Sequence, residues 1–195
     1  MTDLTTSEKT TLLRLARCSI EDALGIARIL DSAIREASLT PSLEEVRGAF
    51  VTLREKDILD PAGNPRLRGC IGTVEPEEPL FRSVIHNAAR AARSDPRFPP
   101  VEASELPGLS LEISALTPLT RVEGPQAILP GRDGVTLEKE GHRAVFLPQV
   151  ATEQGWDTRQ LLEHLARKAG LPEDGWQGAE LWTFRAEVFG EDEAG

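Results

Sequence analysis

The sequence predicts an α+β protein with a mainly antiparallel sheet flanked by helices. Helical and strand patterns are interspersed along the chain, and two pairs of strand patterns are joined by turn-forming residues. Hairpins give antiparallel pairs, which favours this class over a doubly wound parallel sheet. Neither G-x-G-x-x-G nor G-x-x-x-x-G-K-[ST] occurs, so dinucleotide and P-loop folds lack motif support. The 195 residues suffice for one domain, or one core with a smaller lobe.

The first elements are predicted to be helical. Thr5 and Glu8 have the spacing of a capping box, and apolar residues then recur at helical spacing as far as Ala27. The pattern continues or restarts over residues 30–37. The Thr40-Pro41 step ends it, because the residue before a proline disfavours helical backbone.

A hairpin and a second long helix follow. Residues 48–53 and 67–74 read as strands, and the segment Asp60 to Pro65 between them is rich in turn formers. Pro79 opens the helix, which residues 94–100 end. Its two faces differ sharply in polarity: one carries Phe81, Val84, Ile85, Ala88, Ala89 and Ala92, and the other carries Arg82, His86, Arg90 and Arg93.

The second half of the sequence predicts four strands, two of them paired as a hairpin, and one helix. Residues 109–115 alternate apolar side chains with Ser110, Glu112 and Ser114, as in a half-buried strand. A connecting region runs from Pro118 to Pro130. The remaining elements are a hairpin of 135–138 with 143–147, a helix over 159–169 capped by Asp157 or Thr158, and a last strand over 181–188.

Charge and composition narrow the functional classes. The net charge of −10 opposes generic binding to a phosphate backbone. No apolar run approaches the ~20 residues of a membrane span, and the first residues lack the basic and apolar stretches of a signal peptide. We therefore expect a cytoplasmic protein, in which Cys18 and Cys70 are reduced thiols.

The most unusual segment is Arg66 to Thr73, where Cys70 lies between Gly69 and Gly72 and close to Arg68. Glycines allow a backbone to approach a ligand closely or to form a bulge, and nearby arginines favour a thiolate. Cys70 is therefore a candidate nucleophile or ligand contact. The alternative is a small buried hydrophobic residue in a strand, which is the usual situation of a free cysteine.

Two further segments allow both a structural and a functional interpretation. Asp95 and Arg97 form either a structural pair or an anion clamp in which Arg97 faces a cleft. Gln149, in an apolar stretch, makes either a structural hydrogen bond or a pocket contact. The three histidines are too far apart to form a metal-binding motif, so the sequence predicts neither a metal nor a cofactor.

The segment Leu67-Arg68-Gly69-Cys70-Ile71-Gly72 resembles the six-residue signature of the AMMECR domain family. Further segments resemble that family in the same order along the chain, over about residues 8–190. They are 48–53, 87–98, 111–114, 146–150 and 167–172. The resemblance therefore predicts a single domain of this type over residues 8–190, followed by an acidic tail over 191–195.

The resemblance implies a larger and a smaller lobe with a cleft between them, and a signature lying near that cleft. It also implies partners: a Memo-like protein and a radical-SAM protein, as protein A of the AmmeMemoRadiSam trio. It implies no established activity. The residues expected at the cleft are Arg68, Gly69, Cys70, Gly72, Thr73, Asn87, Asp95, Arg97, Phe98 and Gln149.

Three functions remain open at this point. The favoured hypothesis is an accessory protein that binds a small anion or nucleotide, or docks a partner enzyme. The first alternative is an enzyme in which Cys70 is the nucleophile and Arg68 and Arg97 stabilise an oxyanion. The second is an RNA-associated protein with a patch made of Arg66, Arg68, Arg90, Arg93 and Arg97, which the net charge opposes.

Overall fold

A computed structural model describes residues 3–61, 63–75 and 77–191, and these residues form six α-helices and eight strands. The helices are α1 (Thr6–Ala23), α2 (Leu30–Glu36), α3 (Pro41–Glu44), α4 (Leu80–Arg93), α5 (Pro148–Gln154) and α6 (Thr158–Lys168). The strands are β1 (Ala49–Leu59), β2 (Pro65–Thr73), β3 (Leu109–Leu116), β4 (Thr120–Val122), β5 (Gly134–Lys139), β6 (His142–Phe146), β7 (Glu180–Phe184) and β8 (Ala186–Gly190). The predicted α+β class is confirmed.

The described chain divides into two compact units, 3–115 with 187–191 and 116–186. The first contains a four-stranded sheet in the order β2-β1-β3-β8, in which β1 is antiparallel to both neighbours. Helices α1 and α4 pack together, and α4 packs on β1 and β2. Aliphatic side chains make most of this core, among them Leu12, Leu15, Ile20, Leu53, Leu111 and Ile113.

Helix α1 begins with the predicted capping box. Thr5 and Glu8 exchange side-chain and backbone hydrogen bonds, and the Glu8 carboxylate also accepts from the hydroxyl of Thr40. The Thr40 and Thr5 bonds lower the pKa of Glu8 to about 2. The helix ends at Ala23, four residues earlier than the spacing predicts, and Gly25 then takes a left-handed conformation at φ 72°.

The second unit contains a sheet in the order β4-β7-β5-β6, with its own core against α6. Helix α6 begins with a capping box formed by Asp157 and Gln160. His164, which the sequence suggests is at the surface, is half-buried and stacks on Trp156 with ring centroids 3.9 Å apart. Strand β4 and helix α5 are elements that the sequence pattern did not predict.

The predicted last strand over 181–188 is wrong in one respect, since the segment forms two strands in different sheets. Strand β7 ends at Phe184 and β8 begins at Ala186. Between them, the N–H of Arg185 donates to the hydroxyl of Thr117 at 2.9 Å. Period-two alternation continues through this change of sheet, so the pattern alone does not reveal it.

Glu191, the first residue of the predicted acidic tail, belongs to the first unit. Its carboxylate accepts hydrogen bonds from the guanidinium of Arg17 and, at 3.0 Å, from the N–H of Leu111. The rest of that tail, residues 192–195, lies outside the described residues. No helix in the described part of the chain has the length and apolar character needed to span a membrane.

Candidate functional site

Strand β2 carries the signature on the edge of the first sheet, and a bulge interrupts its pairing with β1. Leu53 pairs with Gly69 and Arg54 pairs with Leu67, so Arg68 is the extra residue. A bulge bends a strand and redirects a side chain. Here it separates the environment of Arg68 from that of Cys70, two residues later.

Cys70 stands in a row of side chains that crosses three strands. Thr52 on β1 pairs with Cys70 on one side and with Glu112 of β3 on the other. Paired residues share a face of a sheet, so the three side chains lie on the same face. We call this face, lined by Phe50, Thr52, Arg54, Cys70, Gly72, Ser110, Glu112 and Ser114, the polar face.

The polar face is more enclosed than the sequence predicts. The alternation in β3 suggested serines turned towards solvent, but Ser110 is 7% exposed and Ser114 is 2% exposed. Cys70 and Glu112 are half-buried. The thiol therefore lies in a sheltered polar environment, and the hydroxyl of Thr52 donates a hydrogen bond to its sulfur at 3.3 Å.

Asp95 and Arg97 hold the outer edge of β2 at Cys70. The loop that follows α4 places the Asp95 carboxylate where it accepts from the N–H of Cys70 at 2.8 Å. The same carboxylate accepts from the Nε and Nη2 groups of Arg97 at 3.0 and 2.7 Å, and Nη2 also donates to the carbonyl of Cys70 at 3.2 Å. The two residues thus satisfy the peptide groups that an edge strand leaves unpaired.

This arrangement fixes the charges of both residues. Hydrogen bonding to Arg97, and then to the N–H of Cys70, lowers the pKa of the buried Asp95 to about 2. The pKa of Arg97 is raised, mainly by the hydrogen bond to Asp95 and further by the neighbouring Cys70. Asp95 is therefore a fixed anion that orients a cation beside the thiol.

Part of the Arg97 guanidinium is free to meet a ligand. The side chain is 54% exposed, although its partner Asp95 is only 2% exposed. Within residues 3–61, 63–75 and 77–191, its Nη1 group donates to no oxygen. The ring of Phe98 lies 5.5 Å from the guanidinium carbon and supports the cation from one side.

Arg68 is committed to the protein itself. Its guanidinium forms a two-point pair with Glu105, at 2.8 and 3.0 Å, and donates to the carbonyls of Pro99 and Pro100. The side chain is 10% exposed. The role of oxyanion stabiliser suggested for Arg68 therefore receives no support from this geometry, and its pairs instead anchor the bulge.

A cavity of about 560 Å³ opens beside this ion pair. Its wall includes a second pair, between Arg66 and Glu55, whose arginine is 53% exposed. Phe98 also borders it, together with Leu67, Pro99, Pro100 and Glu102. Besides the two paired arginines, Glu102 adds an unbalanced negative charge to the wall, so this cavity disfavours an anion.

Three of the predicted site residues hold α4 against the sheet. The amide of Asn87 donates to the carbonyl of Ala49 at 3.1 Å and to the hydroxyl of Thr73 at 3.3 Å. A Cβ at Gly69 would lie 2.4 Å from the carbonyl oxygen of Ala91 in the helix. Gly69, Thr73 and Asn87 therefore have packing roles on the face opposite the polar face.

Gly72 lies on the polar face beneath an aromatic ring. A Cβ there would lie 2.1 Å from the ring of Phe50, its partner on β1. The glycine allows the ring to lie flat beside Cys70. Among the site residues, the structure therefore groups Cys70, Gly72, Asp95, Arg97 and Phe98 around the end of β2.

Gln149 lies in the second unit, in the first turn of α5, and is half-buried. The histidines are also dispersed: His86 contacts Glu78 at 3.0 Å, and His142 contacts the carbonyl of Ala169 at 2.9 Å. In the part of the chain that the structure describes, no three His, Cys, Asp or Glu side chains are grouped as metal ligands.

Sequence reasoning missed Thr52 and Glu112 as members of the site. Pairing the two strand patterns as a hairpin would have suggested a partner for Cys70, but the bulge shifts the register and conceals which one. The sequence pattern placed Glu112, with Ser110 and Ser114, on the outward side of a half-buried strand. Only the pairing of β1 with both of its neighbours shows that Thr52 lies between Cys70 and Glu112.

Comparisons with known proteins agree with one another. The family model described as AMMECR1 matches residues 13–189. A protein of Thermofilum pendens is 40% identical over 197 residues, covering 95% of this chain and 91% of the relative. A protein of Pyrococcus furiosus is 40% identical over 188 residues, covering 93% and 87%. The crystal structure of an uncharacterized protein from Pyrococcus horikoshii has a TM-score of 0.80 at 38% identity, covering 94% of this chain and 91% of that one.

Proposed function

The chain belongs to the AMMECR1 family, and we propose that it is an accessory protein that binds a small anionic ligand between Arg97 and Cys70. One observation carries this proposal: buried Asp95 holds a half-exposed guanidinium beside a half-buried thiol. A guanidinium with a free amino group is well suited to a carboxylate or phosphate. The neighbouring Thr52 hydroxyl and Cys70 thiol offer further polar contacts.

A titration with simple anions tests the proposal. Inorganic phosphate and acetate are added to the full chain, and binding is measured by isothermal titration calorimetry. Arg97→Gln is expected to weaken binding at least about tenfold, since one charge-assisted hydrogen bond contributes ~1.5–3 kcal/mol. The matched control is Arg66→Gln, because Arg66 is equally exposed and also paired with a carboxylate. Equal binding by both variants, or no binding by the unmodified protein, would contradict the proposal.

The partners are part of the same proposal. Family resemblance suggests that the protein acts with a Memo-like protein and a radical-SAM protein. Its two free cysteines, Cys18 and Cys70, suit the reducing cytoplasm, where we place this function. Co-expression with each candidate partner, followed by size-exclusion chromatography, is expected to give a shared peak. Separate elution of all three proteins at micromolar concentration would argue against a stable complex.

A second candidate function is an enzyme with Cys70 as the nucleophile. The hydrogen bond from Thr52 to the sulfur favours it, because a donor at this position stabilises a thiolate. In a Cys18→Ser background, Thr52→Val is expected to slow alkylation of Cys70 at neutral pH. An unchanged rate in this variant would remove the observation on which this candidate rests. If Cys70→Ala kept every activity of the intact system, the candidate itself would be lost.

The RNA-associated alternative loses support from the pairing of its arginines. Arg66, Arg68 and Arg97 are each bonded to a carboxylate, on Glu55, Glu105 and Asp95 respectively. The proposed patch therefore has little excess positive charge to release counterions from a phosphate backbone.

A further inference from the structure

Glu112 is the least explained charged group on the polar face. It lies on β3, next to Thr52 and two strands away from Cys70. Its side chain is half-buried, and the serines two residues before and after it are buried. A carboxylate in such a position is partly sheltered from water, which favours a partner of opposite charge.

Arg54 lies on the same face, two residues along β1 from Thr52, but it donates to the carbonyl of Pro65 at 3.2 Å. Among residues 3–61, 63–75 and 77–191, Glu112 forms no hydrogen bond and no ion pair. Its partner on β1, Thr52, donates its hydroxyl hydrogen to the sulfur of Cys70. The carboxylate of Glu112 is therefore available to accept hydrogen bonds from a bound cation.

Glu112 and Arg97 lie close enough for one ligand to reach both. A cationic group bound at Glu112 could therefore belong to the same molecule as an anionic group bound at Arg97. Arg97 bonds to the carbonyl of Cys70 at the outer edge of β2. Glu112 lies on β3, and two strand spacings amount to about 10 Å. The thiol of Cys70 and the hydroxyl of Thr52 lie between the two charges. Across the sheet, the order of groups is therefore the cation of Arg97, the thiol, the hydroxyl and the anion of Glu112.

We propose that the polar face binds a zwitterion, whose anionic group pairs with Arg97 and whose cationic group pairs with Glu112. The ligand then lies across β2 and β1, with its middle over Cys70 and Thr52. Each charge of the protein meets the opposite charge of the ligand, which also selects against dianions and dications. The inference rests on the proposed anion site at Arg97 and adds the second half of the ligand.

Binding of a graded series of ω-amino acids tests this inference. The probes run from 3-aminopropanoate to 8-aminooctanoate, each compared with the monocarboxylate of the same chain length. Affinities are measured by isothermal titration calorimetry on the full chain. We expect short amino acids to bind like their monocarboxylates, because they do not span the two charges. Longer ones are expected to gain about tenfold or more, the contribution of one charge-assisted hydrogen bond.

Variants then assign the gain to Glu112. Glu112→Gln is expected to remove the advantage of the amino acids over the monocarboxylates of the same length. Glu138→Gln, a half-buried strand glutamate of the second sheet, is the control and should keep the advantage. Circular dichroism of each variant checks that it folds. If Glu112→Gln does not fold, the dependence of affinity on amino-acid length in the unmodified protein still tests the inference.

The possible failures are distinguishable. If amino acids of every length bind no tighter than the monocarboxylates, the zwitterion inference is wrong and the anion site stands. The same conclusion follows if Glu112→Gln folds and retains the full advantage. If neither series binds at all, the anion site itself is wrong, and the inference falls with it.

Discussion

The Asp95 carboxylate accepts a hydrogen bond from the peptide N–H of Cys70 at 2.8 Å, across 25 residues of sequence. This bond joins the loop after α4 to the edge of β2. It places one oxygen of a buried anion against the backbone of Cys70, whose side chain lies on the polar face. Arg97 completes the arrangement by bonding to both Asp95 and the carbonyl of Cys70.

Replacing Asp95 should therefore lower stability in a pH-dependent way. Its folded pKa of about 2 lies below 3.8, the ordinary value of an aspartate. The stabilisation is present above about pH 4 and is lost as the pH falls towards 2. We expect Asp95→Asn to lower the free energy of unfolding by about 1–2 kcal/mol at pH 7, and by little at pH 2.

Urea unfolding at pH 7, 4 and 2.5 measures this effect. The exposed Asp174 provides the control, since Asp174→Asn should leave the stability at all three pH values nearly unchanged. A constant difference between Asp95→Asn and the unmodified protein across this range would show that the charge of Asp95 is not the cause.

Gly69 is predicted to tolerate no side chain. A Cβ there would approach the carbonyl oxygen of Ala91 to 2.4 Å, which forces α4 away from β2. Gly69→Ala should lower the free energy of unfolding by about 1–3 kcal/mol, the usual cost of overpacking a core. Gly108→Ala is the control, because nothing lies within 4 Å of its added Cβ. Thermal unfolding of the two variants compares them directly, and equal midpoints would refute the close approach.

Arg68 and Arg66 are neighbours in sequence, but they should differ strongly in their effect on stability. Arg68 is 10% exposed and bonded to Glu105 and two carbonyls, whereas Arg66 is 53% exposed. Arg68→Gln should cost about 1–3 kcal/mol because it removes the two-point pair that a buried guanidinium makes with Glu105. Arg66→Gln should cost less than about 1 kcal/mol, as exposed pairs do. Urea unfolding at pH 7 gives both values, and a ratio near one would contradict the assignment.

The two cysteines should react differently with iodoacetamide. Cys70 is half-buried at the site, whereas Cys18 is 8% exposed within α1, and burial raises the pKa of its thiol. In Cys18→Ser, the remaining thiol is expected to be labelled in the folded protein. In Cys70→Ser, labelling should require unfolding by urea. Mass spectrometry of both variants over time measures the rates, and fast labelling of folded Cys70→Ser would contradict the burial of Cys18.

Local signals in the sequence predicted most of the elements. Thr5 with Glu8, and Asp157 at the start of α6, mark helix starts because capping is an interaction between near neighbours. The polarity of α4 likewise predicted its buried and exposed faces. Of the two interpretations of Asp95 and Arg97, the structure shows the pairing, and the anion clamp stays a proposal.

Features that depend on distant partners were not predictable in the same way. The bulge at Arg68, its pairing with Glu105 and the alignment of Thr52 with Glu112 all depend on strand register and loop placement. Positions in and near the signature were assigned to one site, although Gly69 packs against α4 and Asn87, on α4, bonds to β1. A sequence shows which residues are unusual, but the face on which each one lies is decided by tertiary pairing.

The first unit is built from two separate stretches of chain, which sets the order in which its strands are synthesised. Strand β8 pairs with β3, but the whole of residues 116–186 separates them. During translation, β8 therefore leaves the ribosome after the complete second unit, which is continuous in sequence and folds around its own core. The sheet that carries Cys70 therefore receives its fourth strand only after the second unit has been synthesised.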